Sequence, residues 1–512
     1  MPSPDPGAGR LTRPPYLFAV ACVLAAYALT TASHFTQGEL SLDDASTFFV
    51  AVRPLVDIPA VAISFHSQPP LFYFALHAWS RIGDTEAALR ALPMIFMVCA
   101  AVTLLCTRWL PRLTRAVATA LLLLTPYSGF LTSALRPYSL SVWLSLWSCL
   151  LFMALLLGLR RRAVSYAGYV VVTALMAYSV AMTSWILLAQ GLCAVAVYGV
   201  AAGREGLRRA LVQQAGLFLS LAAVAMIYLP YVIAVWRVQG HLAHPAIAAT
   251  LAATTNPRYF VSGPMYLLAM PGGLGYLALA AAAFAMWSGV RRHDPATGVL
   301  TAIVLLQIAL THGFLEGRSP FGFRYLAPAY PALCLLAGLG AGRVFSRVRA
   351  AGIGVTACAA GVLVAALVAF VRTPHAPPAG LWRQVRADLL RLPGTKMVFF
   401  DIGWDAQRLQ YEVRDDPDVR IMSDAGSGWD TGGRMMTAEY VARTIDRNVG
   451  PGTMFFYEFD PVINTRAFDE AFAPGMLRHR CVRVYQRDVP TYARASPGDA
   501  GALLYGYACH GV

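Results

Sequence analysis

The sequence predicts an α-helical polytopic membrane protein of about eleven spans, followed by a small extracytoplasmic α/β domain. Three observations predict it. The 512 residues are 57% hydrophobic and only 13% charged, more apolar surface than a soluble core can absorb. Runs long enough to cross roughly 30 Å of hydrocarbon recur as far as residue 371. Beyond Arg372 these runs stop, and short helix-like and strand-like patterns alternate.

The apolar runs lie at about residues 15–33, 87–107, 115–131, 139–159, 164–181, 183–202, 211–235, 264–289, 296–312, 325–341 and 351–371. Arg10 and Arg13 before the first imitate a signal peptide, but the many later spans favour a retained anchor. Between the first two runs, residues 34–86 are too apolar for an ordinary loop. LDDASTFFVAV and PPLFYFALHAWSRI each carry a helical apolar face with aromatics, as helices lying in a membrane interface do. The second is only about 14 residues long, too short to span, and counting it as a span would invert the arginine pattern of every later loop. TPHAPPAG after Arg372 reads as a linker. The helix-like WRQVRADLLRL and TAEYVARTI then alternate with the strand-like KMVFF, VRIM, TMFFYEF and CVRVYQ. The expected domains are therefore 1–372, with 34–86 as its first outer loop, and 373–512. GSG at 426–428 is too slight to define a nucleotide-binding loop.

A net charge of +14 suggests nucleic acid until it is divided along the chain. Residues 1–372 hold 25 arginines and 10 acids, whereas residues 373–512 hold 16 basic residues and 17 acids. The excess belongs to the membrane part, and no nucleic-acid partner is expected. Sixteen of those arginines fall in six short segments: Arg10 and Arg13; Arg108, Arg112 and Arg115; Arg160 to Arg162; Arg204, Arg208 and Arg209; Arg291 and Arg292; Arg343, Arg347 and Arg349. These are the N-terminus and every second loop, so the positive-inside rule puts the N-terminus in the cytoplasm and the C-terminus outside. Only Asp5, Glu205 and Asp294 join them; the other seven acids of the membrane part face outward. Of nine cysteines, only Cys481 and Cys509 belong to the exported tail, where they can pair in an oxidising compartment.

Asp43 and Asp44 stand out among these acids. Neighbouring carboxylates repel, and near low-dielectric lipid their pairing needs a reason. One can act as a general base on an acceptor hydroxyl while the other orients it or holds a divalent cation. The competing reading makes Asp43 the cap of a helix starting near Ala45, with Asp44 in its first turn; both can hold at once. Arg136, Arg258, Arg318 and Arg324 lie at outer span ends beside Pro or aromatic residues. Guanidinium groups there suit a phosphate headgroup; for any single one a snorkelling arginine paired with lipid is the stronger reading, and it is the four on one outer face that tip the balance toward a phosphate site. HLAH at 241–244 has helical spacing but no acid nearby, and no metal is assigned to it.

The order of these features resembles the membrane glycosyltransferases of the GT-C fold, in particular the bacterial relatives of protein O-mannosyltransferases, lipid A aminoarabinose transferases and rhizobial galacturonosyltransferases. The acidic pair is here SLDDAST, the PPL-type segment HSQPPLFYFALHAW, the RPY element SALRPYSL and the RYL-P element FRYLAPAYPAL. By position, the resemblance implies Asp43 as the catalytic aspartate and Asp44 as its acidic partner. Arg136, Tyr138, Arg258, Arg318 and Arg324 are the candidates for holding the donor phosphate, and His66, Gln68, Glu316 and Tyr325 the candidates for lining the substrate. Two departures matter: Ser67 and Gln68 stand where the aminoarabinose transferases carry an acid and a lysine, and Arg136 stands where they carry an aspartate. These argue against the same sugar and for arginine-based phosphate binding with no metal required.

The expected activity is transfer of a sugar from a polyprenyl-phosphate donor to a glycan, lipid or protein hydroxyl, on the outer face of a bacterial plasma membrane. The rival is a transporter or flippase for a lipid-linked sugar, or a non-catalytic assembly subunit of the same fold. Ion-coupled transporters place charges at mid-membrane, whereas the span centres here hold little beyond Gln190, Gln213, Gln214, Gln307 and His312.

Overall fold

A computed structural model describes residues 13–35, 39–159, 163–239, 274–315, 322–345, 381–400, 403–422, 437–459, 468–489 and 502–509, together with 264, 265, 267, 268, 361, 364 and 368. By its internal contacts the chain forms two compact units, one of residues 1–36 and 53–375, the other of residues 37–52 and 376–512.

The first unit is helical. Its helices are α1 (Arg13–Phe35), then, after the 37–52 excursion, α3 (Ile58–His66), α4 (Leu71–Ser80), α5 (Glu86–Cys106), α6 (Arg112–Leu124), α7 (Pro126–Ser133), α8 (Tyr138–Leu156), α9 (Ala163–Ala177), α10 (Ser184–Glu205), α11 (Leu207–Gln239), α12 (Leu274–Arg291), α13 (Pro295–Leu315) and α14 (Tyr330–Phe345). Three-residue and eight-residue 3-10 segments, Ala181–Thr183 and Gly322–Ala329, precede α10 and α14. The apolar runs expected from residue 15 to 235 and at 296–312 fall on these helices or on the α6–α7 pair; the run at 264–289 continues as α12 from Leu274, with residues 266 and 269–273 outside the described set, and the run at 325–341 begins in the second 3-10 segment and continues as α14. Among the described residues, however, six helices are long and apolar enough to cross a membrane, or seven if the α6–α7 pair is one span. Three further apolar helices are shorter, Tyr16–Ala32, Ala163–Ala177 and Pro295–Thr311, and residues 351–371 lie almost wholly outside the described set. The pair α6–α7 bends by 59° where Pro126 stops one helix and starts the next. Thr125 caps the second by accepting the Ser128 amide, and its hydroxyl bonds to Tyr330.

Close helix packing rests on missing side chains. A Cβ on Gly340 of α14 would lie 1.8 Å from the carbonyl oxygen of Ala281 on α12, and one on Gly338 would lie 2.6 Å from that of Thr114 on α6. Lipid offers no hydrophobic drive between helices, so such backbone approach is what dispersion can exploit. Several buried polar groups find partners across helices. Gln190 of α10 accepts from Tyr169 (2.7 Å) and donates to Ser148 (3.0 Å), and Gln307 of α13 donates to Thr311 and to the Tyr325 carbonyl. Two of the glutamines at the expected span centres thus have structural partners. Arg343 of α14 donates to Asp294, Thr297, Ser288 and the Ala285 carbonyl, stapling α12, the turn after it and α13.

The second unit begins with α2 (Leu42–Ala51) and continues with α15 (Leu381–Arg391), β1 (Thr395–Phe400), α16 (Gly403–Glu412), β2 (Val419–Met422), α17 (Ala438–Asn448), β3 (Thr453–Phe459), α18 (Ala473–Arg478), β4 (Val482–Val489) and β5 (Ala502–Ala508). The sheet order is β2-β1-β3-β5-β4, parallel through β2, β1 and β3 and antiparallel beyond. Alternation along β1 sends Val398 and Phe400 to a core with Trp382, Val385 and Leu409, and Met397 and Phe399 to a core with Val441, Ile445 and Phe472. The result is a three-layer α/β/α arrangement, with α15 and α16 on one face and α17 and α18 on the other. Pairing of Val482 with Ala508 sets Cys481 beside Cys509, and they form a disulfide. On the first face Tyr485 donates to Asp388 (3.1 Å); burial is the main cause that pushes its hydroxyl up to about 12, so it stays a donor at neutral pH.

Candidate functional site

The acidic pair lies on α2, in the second unit. Helix α2 starts at Leu42, three residues earlier than expected, and its cap is Ser41 rather than Asp43. Ser41 Oγ accepts the Asp44 amide (3.1 Å) while Asp44 Oδ2 accepts the Ser41 amide (3.2 Å), a reciprocal capping box. The capping role thus falls to Ser41 and Asp44. Asp44 is 5% exposed, and Asp43, at the second helical position, is half-buried. Thr47 Oγ1 donates to the Asp43 carbonyl (2.8 Å), one turn on. The first turn of a helix carries positive partial charge, which favours the ionised form of a carboxylate placed there.

In the first unit, four sequence elements gather around the two 3-10 segments. The chain turns at Ser67, a non-glycine residue at φ 53°, and that left-handed conformation is held by what surrounds it: the Ser67 carbonyl accepts from Tyr231 of α11 (2.9 Å). Beside it Gln68 Oε1 accepts the Ala181 amide (3.3 Å), and His66 stacks on Tyr73 with ring centres 5.8 Å apart. Segment Ala181–Thr183 packs in turn on Gly322–Ala329, which carries Arg324 and Tyr325. The Arg324 guanidinium lies 5.1 Å from the Tyr325 ring centre and donates to its hydroxyl. Tyr325 meets Tyr138 edge-to-face at 6.3 Å. Tyr138 opens α8 immediately after Arg136 and Pro137, and Arg136 is 8% exposed.

The structure therefore joins Tyr138, Arg324, Tyr325 and, through Ala181, Gln68, with Arg136 two residues ahead of Tyr138 in the chain. Arg258, Glu316 and Arg318 lie outside the described residues. Among the described residues no group of three or more His, Cys, Asp or Glu is arranged to hold a metal ion. Sequence reasoning passed over Arg90 as a site candidate, an arginine in the second turn of α5 that is only 5% exposed. Its signal was legible: a guanidinium inside an otherwise apolar helical face must be satisfied within the protein. The Ser-x-x-Asp spacing of the capping box was legible too.

No protein-family model and no curated protein matches the chain. Among solved structures it is similar to ArnT from Cupriavidus metallidurans in the apo state, with a TM-score of 0.60 at 13% identity, covering 95% of this chain and 97% of that one. It is similar also to the same protein bound to undecaprenyl phosphate, with a TM-score of 0.58 at 13% identity and the same coverage. The match runs nearly end to end in both chains, and the protein has the GT-C fold of ArnT.

Proposed function

We propose that this protein transfers a sugar from a polyprenyl-phosphate donor to an acceptor hydroxyl on the outer face of a bacterial plasma membrane. One observation carries the reading: the RPY and RYL elements, far apart in sequence, meet through Tyr138 and Tyr325 with an arginine beside each. A solved relative of this fold binds undecaprenyl phosphate, and a pair of guanidinium groups suits such a headgroup. In the proposed reaction Asp43 takes the proton of the acceptor hydroxyl. The oxygen forms a bond to the anomeric carbon as the bond from that carbon to the phosphate oxygen breaks, inverting the centre. The charge moves to the departing polyprenyl phosphate, where Arg136 and Arg324 stabilise it, with Arg258 and Arg318 as further candidates. Acceptors of this class are envelope glycans, lipids or proteins. No cofactor is required, although a divalent cation at Asp43 and Asp44 is compatible with the acidic pair.

Replacing Arg136 or Arg324 with Gln weakens undecaprenyl-phosphate binding by roughly ten- to a hundredfold, because a hydrogen bond to a charged group contributes about 1.5 to 3 kcal/mol. Lys restores part of it, having the charge without the planar fork. Binding to the purified protein in nanodiscs measures both, and unchanged affinity in the two Gln variants removes these residues from the site.

Sidedness has its own support. Gln68 with Ala181, Tyr231 with Ser67, and Tyr138 with Tyr325 all join segments that the arginine pattern puts outside, and the disulfide suits an oxidising compartment. A periplasmic reporter fused after Val512 is expected to be active, and reporters in the loops near Arg161 and Arg292 inactive. The reverse result overturns the outward placement.

A further inference from the structure

We propose that the C-terminal unit positions the catalytic base, with Tyr411 as the positioning residue that seats helix α2; this rests on the proposed role of Asp43. Helix α2 is separated in sequence from residues 376–512, yet it belongs to their compact unit. Two contacts fasten it there. Phe48 meets Tyr411 of α16 edge-to-face, with ring centres 5.2 Å apart at 89°. Tyr411 is itself fixed, since it is buried, the Arg414 guanidinium lies 4.3 Å from its ring centre, and Arg414 donates to its carbonyl. Ahead of the helix, Glu39 Oε1 accepts the Arg383 amide at 2.7 Å. That amide is in the first turn of α15, where N–H groups have no partner within the helix and a carboxylate is favoured. The chain is thus held on both sides of Asp43.

The lever is short. Asp43 precedes Phe48 by five residues, about 7.5 Å along a helix axis, so a tilt of about 10° at the seat displaces the carboxylate by about 1 Å. A displacement of that size can cost on the order of a hundredfold in rate. Buried Ala45, Thr47, Val50 and Ala51 leave α2 little room to take another position.

The test uses the full-length protein in nanodiscs. Donor lipids and envelope glycan extracted from the source cells serve as probes, and release of polyprenyl phosphate is the readout. Tyr411→Ala is expected to lower kcat at least tenfold with the donor KM within twofold, and Tyr411→Phe, which keeps the ring, to restore it. Hydrogen exchange of amides 42–51 is expected to quicken at least tenfold in Tyr411→Ala while that of 86–106 is unchanged. Should Tyr411→Ala fail to fold, Phe48→Leu is expected to give the same split with a smaller loss. Unchanged protection of α2, or kcat within twofold of wild type, overturns the proposal, as does a rise in donor KM matching the fall in kcat. Asp43→Asn run alongside separates the two readings: if it still transfers, Asp43 is not the base, whereas if only it is inactive, the seat alone is wrong.

Discussion

Asp43→Asn abolishes sugar transfer, by a hundredfold or more, in a protein that still folds and still binds undecaprenyl phosphate. Removal of a general base typically costs about that much, because an amide cannot take a proton at neutral pH. The structure sharpens the control. The cap of α2 is Ser41 with Asp44, so Asn at position 43 leaves both cap bonds in place, and a purely structural role predicts normal activity. Ser41→Ala is the converse variant, losing about 1 kcal/mol of helix stability with Asp43 intact. Asp44→Asn, whose amide oxygen can still accept the Ser41 N–H, is expected to be milder than Asp43→Asn if Asp44 only orients, and equally severe if it holds a cation. Full transfer by Asp43→Asn with extracted donor and acceptor rules out the mechanism.

Gly340→Val prevents α14 from docking on α12 and lowers stability by on the order of 3 kcal/mol, the upper range for overpacking. Even the first added carbon would sit 1.8 Å from the Ala281 oxygen, and that atom belongs to the backbone, so no side-chain rotation relieves the clash. Gly199 of α10 has nothing within 4 Å of the same added atom, and Gly199→Ala is expected to be neutral or stabilising by up to about 1 kcal/mol through helix propensity. Thermal unfolding in detergent distinguishes the two sites. Equal melting temperatures for Gly340→Val and wild type mean that the two helices are not packed backbone to backbone.

The helices of the first unit were legible because long apolar runs bounded by arginine clusters have few other readings. Their lengths were less so. The run at 325–341 begins as a 3-10 segment around Pro328, and α9 stops at Ala177, four residues before its run ends. In the second unit WRQVRADLLRL, TAEYVARTI and all four strand-like runs became the expected elements, whereas β5 was missed. Its ALLYGYA contains Gly506, which weakens a strand pattern, yet a Cβ there would lie 2.4 Å from the Phe456 ring, so the glycine admits that ring. Helix α3 was also missed, hidden between Pro54 and Pro69. Asp43, Arg136 and Arg324 were named as candidates from residue type and order alone, and the structure adds that the segments of Tyr138 and Tyr325 meet. What no local pattern could reveal was the contact between Phe48 and Tyr411, because a ring against a ring leaves no trace in spacing.

The Arg343 staple bears on how the chain is checked as it enters the bilayer. Arg343 and Asp294 lie 2.5 Å apart although two helices, α13 and α14, separate them in sequence. They can meet only if an even number of crossings lies between them. A chain that skipped or inverted one helix there would leave the two charges on opposite leaflets, each without its partner and each costly to retain near hydrocarbon. If α13 and α14 each cross the bilayer, the ion pair closes only when the two have threaded in opposite senses.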